Sequence, residues 1–280
     1  SALSVAAALL LPAVPQPLDY HDFADHRDFC GIANFLDVAS NVGFLLVGLL
    51  GLRVVARSST EFEQPVERIP YAVFFVGMVL TALGSAYYHL SPDNERLFWD
   101  RLPMTVAFMS LICAQVVDRV SVRGGLALLV PLLLLGGASV VYWLATERAG
   151  DGNVVPYGVL QGYSVVMLAV FAVSHPSRYT RGADIWWVFA GYVAAKVLEA
   201  ADRQAFEIGH VLSGHTLKHL VAAVAGAVLC RMLARRTLRA RFGIADDALI
   251  VLNAGYGDLR KGVDRFVDIG ARVMAQELGQ

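Results

Sequence analysis

The sequence SGHTLKH, residues 213–219, opens the last long apolar run of the chain, which continues through residues 220–233. Its two histidines, His215 and His219, are four residues apart, so on a helix they lie on one face, one turn apart. Two imidazoles in this arrangement are typical ligands of a shared metal ion, usually Zn²⁺. The alternative is that both are polar residues that cap a membrane helix near water. The residues that the other helices bring to the same depth of the membrane decide between these interpretations.

The composition is typical of a protein that crosses a membrane several times. Of its 280 residues, 56% are hydrophobic and only 17% are charged, and the mean hydropathy is +0.55. Soluble domains rarely have this composition. The net charge of -1 gives no basic surface for nucleic acid, so no nucleic-acid partner is expected. Cys30, Cys113 and Cys230 are too far apart in sequence to match a zinc or redox motif.

Seven apolar segments have membrane length, which predicts an all-α polytopic membrane protein with a seven-transmembrane helix bundle. The predicted spans are residues 35–55, 69–90, 100–117, 124–144, 155–173, 185–202 and a last one that ends near residue 233. The bundle domain is therefore expected to cover residues 35–235. Pro103 is expected in the first turn of the third span, where proline removes no helical hydrogen bond.

The two ends of the chain differ from the bundle. Residues 1–34 combine an apolar stretch up to residue 12 with a polar loop at residues 20–30. The apolar stretch is interpreted as the remnant of a leader or helix, or as an interfacial segment. Acidic oxygens in the loop could bind Ca²⁺, although a solvated loop is the commoner explanation.

Residues 236–280 follow the last span and are predicted to form a cytoplasmic tail. A basic cluster marks the start of this tail, and its remainder has the composition of a soluble segment. Apolar residues recur in the tail at helical spacing and indicate a short amphipathic helix: Val263, Phe266, Val267 and Met274.

Arginines are more numerous on the side of the membrane opposite the N-terminus. The positive-inside rule assigns that side to the cytoplasm. We therefore expect a multi-pass protein of the bacterial inner membrane, with its N-terminus outside and its C-terminus in the cytoplasm.

Alternating spans bring polar residues that are distant in sequence to the N-terminal side. His89 ends the second span, and Asp100 starts the third. His215 and His219 start the seventh, so all four fall in one layer. Three neutral imidazoles leave a tetrahedral zinc with one open position, which is the pattern of catalytic sites. Asp100 is expected to move the proton of the attacking water, and Ser85, one turn from His89, to hydrogen-bond that water or the developing oxyanion.

The sixth span carries three charged residues at a spacing of three: Lys196, Glu199 and Asp202. Charges are costly in lipid, so these side chains are expected to be buried and to face the bundle interior or a wet cavity. A structural Lys–Glu pair and a functional role explain them equally well.

The motifs in this order resemble the alkaline ceramidase family, a branch of the CREST superfamily of seven-transmembrane zinc hydrolases that also takes in the adiponectin and progestin receptors. The resemblance covers about residues 28–235. It rests on three signatures: Asp28-Phe29-Cys30 with Asn34 and Ser40-Asn41, then Ser85-x₃-His89 with Asp100 and Leu102-Pro103-Met104, then His215-x₃-His219. It implies a zinc ion bound by the three histidines, Ser85 and Asp100 as catalytic helpers, and hydrolysis of ceramide to a long-chain base and a fatty acid.

The entry segment supplies candidates for a calcium site or for structural polar contacts: Asp28, Asn34, Asp37 and Asn41. It departs from the eukaryotic enzymes, because Gly31 follows Cys30 and Asn34 stands where a glutamate is expected. This departure argues against Ca²⁺ as a cofactor, and the chain is more similar to the bacterial members of the family.

Three functions are open at this point. The first is a zinc amidase that cleaves ceramide or a related lipid amide. The second is a CREST-type hydrolase or receptor-like protein for another lipid. The third is a channel or transporter, for which internal symmetry would be expected. For the amidase, a rim of acidic side chains is expected to repel phosphorylated headgroups: Asp93, Glu95, Asp100, Glu199 and Asp202.

Overall fold

The computed structural model describes residues 11–57 and 60–242. In these ranges the chain is built from helices, and no strand is present. The helices are α1 (Phe35–Ala39), α2 (Val42–Ala56), α3 (Arg68–Leu90), α4 (Asn94–Arg119), α5 (Val122–Ala149), α6 (Val155–Ser174), α7 (Ile185–Ala200), α8 (Asp202–Gly209) and α9 (Gly214–Arg235). The first ten residues and most of the predicted tail, including its predicted amphipathic helix, lie outside the described residues.

Six helical segments of the described chain are long and apolar enough to cross a membrane: Phe35–Ala56, Pro65–Leu90, Asn94–Arg119, Val122–Ala149, Val155–Ser174 and Gly214–Arg235. The first of them comprises α1 and α2. Helix α7 takes the place of the sixth predicted span, is shorter at 16 residues, and packs against α9. The protein is therefore an all-α polytopic membrane bundle, as the composition and the apolar segments predict.

Helix α4 begins earlier than the sequence suggested. Its first residue is Asn94, and the Asp93 side chain caps it by accepting a hydrogen bond from the backbone N–H of Arg96 at 2.7 Å. Pro103 consequently lies inside the helix, and the prediction that it occupies the first turn is wrong. The charged first turn of α4 was mistaken for a loop.

The N-terminal segment packs across the end of the bundle where α3 ends and α4 begins. The His21 ring nitrogen Nδ1 lies 2.9 Å from the Tyr88 hydroxyl in the last turn of α3. The backbone N–H of Val154, just before α6, donates to the carbonyl of Val14 at 2.8 Å. These bonds place the end of α3 and the start of α6 at the same end of the bundle, as alternating spans require.

Helices α3 and α4 come very close to each other at Gly84. A Cβ on Gly84 would lie 1.9 Å from the carbonyl oxygen of Trp99, so only a hydrogen atom fits there. Small residues allow membrane helices to touch in this way. Ser85 and Asp100 each follow one of the two touching residues, so this contact fixes the separation of two predicted catalytic groups.

Gly84→Ala is expected to push α3 and α4 apart, because the added methyl group meets backbone rather than a flexible side chain. Overpacking of this kind costs about 1–3 kcal/mol. We expect a lower thermal unfolding temperature of the protein in detergent and reduced activity. Gly162→Ala in α6 is the matched control, since a Cβ there meets no atom within 4 Å. Equal unfolding temperatures for the two variants would show that the close approach is not required.

Candidate metal centre

Three histidines from two helices meet inside the bundle. His89 lies in the last turn of α3, and His215 and His219 lie near the start of α9. Their exposed fractions are 1%, 4% and 4%. One ring nitrogen from each lies within 4.8 Å of the others, and in the described part of the chain these three form the group that could hold a metal ion.

The separation of two ring nitrogens fits a tetrahedral zinc site. The Nε2 atoms of His89 and His215 are 3.2 Å apart. Zinc–nitrogen bonds of ~2.0–2.1 Å at tetrahedral angles place two ligand nitrogens about 3.3 Å apart. A cation between the rings would bind both buried nitrogens, which otherwise satisfy each other only if one of them carries the proton. The residues present therefore suit Zn²⁺.

His219 is oriented by Ser40, which lies at the junction of α1 and α2. The Nδ1 atom of His219 is 2.8 Å from Ser40 Oγ, and the Ser40 hydroxyl donates to the carbonyl of Asp37 at 3.0 Å. Because the hydroxyl proton is used in that way, the serine oxygen accepts the Nδ1 proton of His219. The resulting tautomer leaves the Nε2 lone pair free for a metal ion.

Ser40→Ala is expected to weaken zinc affinity about 10–100-fold, the usual cost of losing a partner that orients a ligand. Competition with a chelator of known affinity measures the change. Ser110→Ala is the control, because Ser110 bonds only to carbonyls of its own helix α4. If both variants keep the affinity of the parent protein, Ser40 does not orient the ligand.

Two carboxylates hold the start of α9. Asp202 accepts a hydrogen bond from the backbone N–H of His215 at 2.7 Å and another from the backbone N–H of Ala24 at 2.8 Å. Asp37 is fully buried and accepts a hydrogen bond from the Thr216 hydroxyl at 2.5 Å. Both contacts position the turn of α9 that carries the histidine pair.

The N-terminal segment covers the histidines with an aromatic ring. The Phe23 ring is buried, and its centroid lies 4.2 Å from that of His215 and 4.7 Å from that of His89. Nearby, Arg27 forms an ion pair with Asp25 at 2.7 Å. The hydrogen bond from Arg27 holds the pKa of the Asp25 carboxyl below its usual value, so the pair is charged at neutral pH. This ion pair lies within the segment that covers the histidines.

A cavity of about 200 Å³ adjoins the histidine group at His219. His219, Ser85 and Asp100 line its polar end, and apolar side chains such as Phe74 and Leu168 line much of the remainder. The structure thus brings both predicted catalytic residues into one cavity with a predicted metal ligand.

Three charged residues line the same cavity: Lys196, Glu199 and Lys218. The Glu199 carboxylate bonds to both lysines, to Lys218 at 2.6 Å through Oε1 and to Lys196 through Oε2. The Lys196 side chain is 48% exposed and the Lys218 side chain 16%. Lys196, which was expected to be buried, is therefore half exposed, and the other partner of Glu199 comes from α9.

The candidate calcium residues occupy different environments. Asp28 is exposed, and the metal-capable group in the described residues includes neither Asp28 nor Asp37. Asn34 adopts a left-handed backbone with φ of 48° and donates its side-chain amide to the carbonyl of His89 at 2.8 Å. Asn41 donates its amide to the carbonyl of Asp37 at 2.7 Å. The buried members thus make contacts within the protein.

Three of the five carboxylates that were expected to form a repelling acidic rim have basic partners. Glu95 forms an ion pair with Arg148, and Glu199 is bonded to two lysines. Asp93 lies 3.9 Å from Arg96. These basic partners reduce the negative charge that the three carboxylates would present to phosphate groups.

Three residues of the site had no assigned role in the sequence. Ser40 appeared only as part of a family signature, although a hydroxyl at the start of a span is itself a signal of a buried partner. Lys218 stands out as a charge within an apolar run. Nothing in the sequence indicates a role for Phe23, because an aromatic residue in a polar loop is common.

The fold and the histidine centre define a membrane-embedded protein with a candidate metal site beside a largely apolar cavity. The family model described as Ceramidase matches residues 25–242, a range that contains the three histidines, Ser85 and Asp100. The chain belongs to this family, as the three signatures predicted, and the membership indicates a membrane enzyme that hydrolyses ceramide. No match is found among curated proteins.

Proposed function

We propose that the protein is a zinc-dependent amidase that hydrolyses ceramide, or a closely related lipid amide, to a long-chain base and a fatty acid. One observation carries the proposal: three buried histidines form one group, and one of them, His219, lines a cavity together with Ser85 and Asp100, in a chain of the Ceramidase family. His89, His215 and His219 would hold the metal ion.

The metal ion and the residues of the chain would perform different parts of the reaction. Zinc in a three-histidine site polarises a carbonyl and allows water to act as a nucleophile near neutral pH. Asp100 accepts the proton of the attacking water and passes it to the leaving nitrogen, so that the amine departs neutral. Ser85 donates a hydrogen bond to the oxygen on which negative charge develops. The apolar wall of the cavity holds an alkyl chain and limits the access of bulk water.

The test is the release of fatty acid and long-chain base from ceramide in detergent micelles. We expect release in the zinc-loaded protein, its loss on treatment with a chelator, and its return when zinc is added back. Release that resists the chelator would contradict zinc dependence. Cleavage of a lipid ester without cleavage of ceramide would favour a related hydrolase with another substrate.

We also propose that the C-terminus lies in the cytoplasm and the N-terminus outside, in a bacterial inner membrane. Arginines at the bundle end opposite the histidines, such as Arg57 and Arg235, support this orientation. Green fluorescent protein fused to the C-terminus is expected to fluoresce, because it folds in the cytoplasm. An alkaline phosphatase fusion at the same place that is active would reverse the orientation.

A further inference from the structure

The cavity beside the histidines contains two ammonium groups that the proposed reaction does not use. Lys196 comes from α7 and Lys218 from α9, and both line the cavity with His219 and Asp100. Lys218 directly precedes His219 in the helix, so its backbone is fixed relative to the metal ligands. A single carboxylate, that of Glu199, lies between the two ammonium groups.

The charges in this cluster do not balance. Glu199 balances the charge of one of its two lysine partners, and Asp100, the other carboxylate that lines the cavity, forms no ion pair with either lysine among the described residues. An ion pair that only joins α7 to α9 needs one lysine for one carboxylate, and a second ammonium group adds a desolvation cost. The cluster therefore has the charge required to bind an anion.

Hydrogen-bond donors are also left over. An ammonium group has three N–H donors, and the bonds to Glu199 use one donor of each lysine. Each oxygen of Glu199 accepts a hydrogen bond from a different lysine. The remaining donors of Lys196 and Lys218 have no other acceptor among the hydrogen bonds of the described residues, and they stand beside an apolar channel suited to an alkyl chain.

We propose that Lys196 and Lys218, held apart by Glu199, form a subsite for the anionic oxygen group of an alkyl-chain ligand. The proposal rests on the proposed function for the source of that ligand. The anion is either the carboxylate of the fatty acid released from the amide or an acidic headgroup carried by the substrate.

The first experiment measures the binding of a long-chain fatty acid to the zinc-loaded protein by calorimetry. Lys196→Met keeps the length of the side chain and removes the charge, and the half-exposed position tolerates the change. We expect about tenfold weaker binding, the effect of losing one hydrogen bond to a charged group. A primary alcohol of the same chain length should bind equally to both proteins. Arg231→Met, an exposed position of α9 outside this cavity, is the matched control and should bind the fatty acid normally.

A second variant tests whether removing negative charge from the cluster strengthens the binding of the fatty acid. Glu199→Gln keeps the shape of the side chain and removes the only negative charge between the lysines. The proposal predicts tighter binding of the fatty acid, whereas a purely structural ion pair predicts no gain. Unchanged affinity in Lys196→Met, Lys218→Met and Glu199→Gln, with zinc content and unfolding temperature preserved, would overturn the proposal.

Two turnover measurements distinguish the sources of the anion. If the product acid is the ligand, Lys196→Met relieves inhibition by fatty acid and leaves the relative kcat/KM for acidic and neutral lipid amides unchanged. If an acidic headgroup is the ligand, kcat/KM for an N-acyl amino acid falls relative to that for ceramide. Absence of any amide turnover would refute the proposed function alone, because the binding measurements do not depend on catalysis.

Discussion

His219→Ala is expected to remove most of the bound zinc and to abolish measurable amidase activity. The wild-type protein should contain about one zinc ion per chain, since three histidines form one buried group. Removing a ligand leaves two imidazoles and a void, so the loss of affinity should exceed the roughly 10–100-fold caused by losing an orienting partner. Elemental analysis of the purified protein measures the zinc, and the ceramide assay measures the activity.

His175→Ala is the matched control for this experiment. His175 follows α6 at the opposite end of the bundle and lies beside Ser174 rather than the histidine centre. The His175→Ala variant should keep both its bound zinc and its amidase activity. Full zinc occupancy in each of the single alanine variants of His89, His215 and His219 would show that the histidines do not form the metal centre.

Asp100→Asn is expected to keep its zinc and to lose activity by about 10²–10⁴-fold, because an amide cannot accept the proton of the attacking water. Asp100 lines the cavity but does not belong to the metal-capable group, so its substitution should change the activity without changing the zinc content. Zinc content and single-turnover rates measure them. Loss of zinc together with activity would assign Asp100 to metal binding instead.

Asp93→Asn provides the comparison for Asp100→Asn at the same end of α4. Asp93 caps that helix from outside the cavity, and asparagine caps a helix about as well as aspartate. Its activity should therefore match that of the parent protein. Wild-type rates in Asp100→Asn as well would remove Asp100 from the mechanism.

The spans and the histidine layer could be predicted because both depend on properties local to the sequence. Apolar length identifies a membrane helix, and each crossing reverses the side on which the next residues lie. Counting crossings therefore brought His89 and His219 to one depth without any knowledge of helix packing. The start of α4 was missed because its first turn is charged, and the cap at Asp93 was not taken into account.

Pairings between helices could not be predicted in the same way. Hydropathy says nothing about how α7 is rotated about its axis, so the bond between Glu199 and Lys218 was not foreseen. The basic partners of the acidic side chains were missed for a related reason, because a sequence shows Glu95 without showing that Arg148 lies against it. The partnership of Ser40 with His219 likewise joins residues 179 positions apart.

The cover formed by Phe23 has a consequence for how the protein is assembled. Phe23 packs on His215, and the neighbouring Ala24 bonds to Asp202, across 178 positions of sequence. During synthesis the cover emerges before the helices of the bundle, but its docking surface is complete only once α9 has been made. Contacts this distant in sequence form late, because the intervening chain must be ordered first. The cover is therefore fixed only after α9 has joined the bundle, and the histidine centre, which needs α9 to form, stays open to incoming metal until the cover docks.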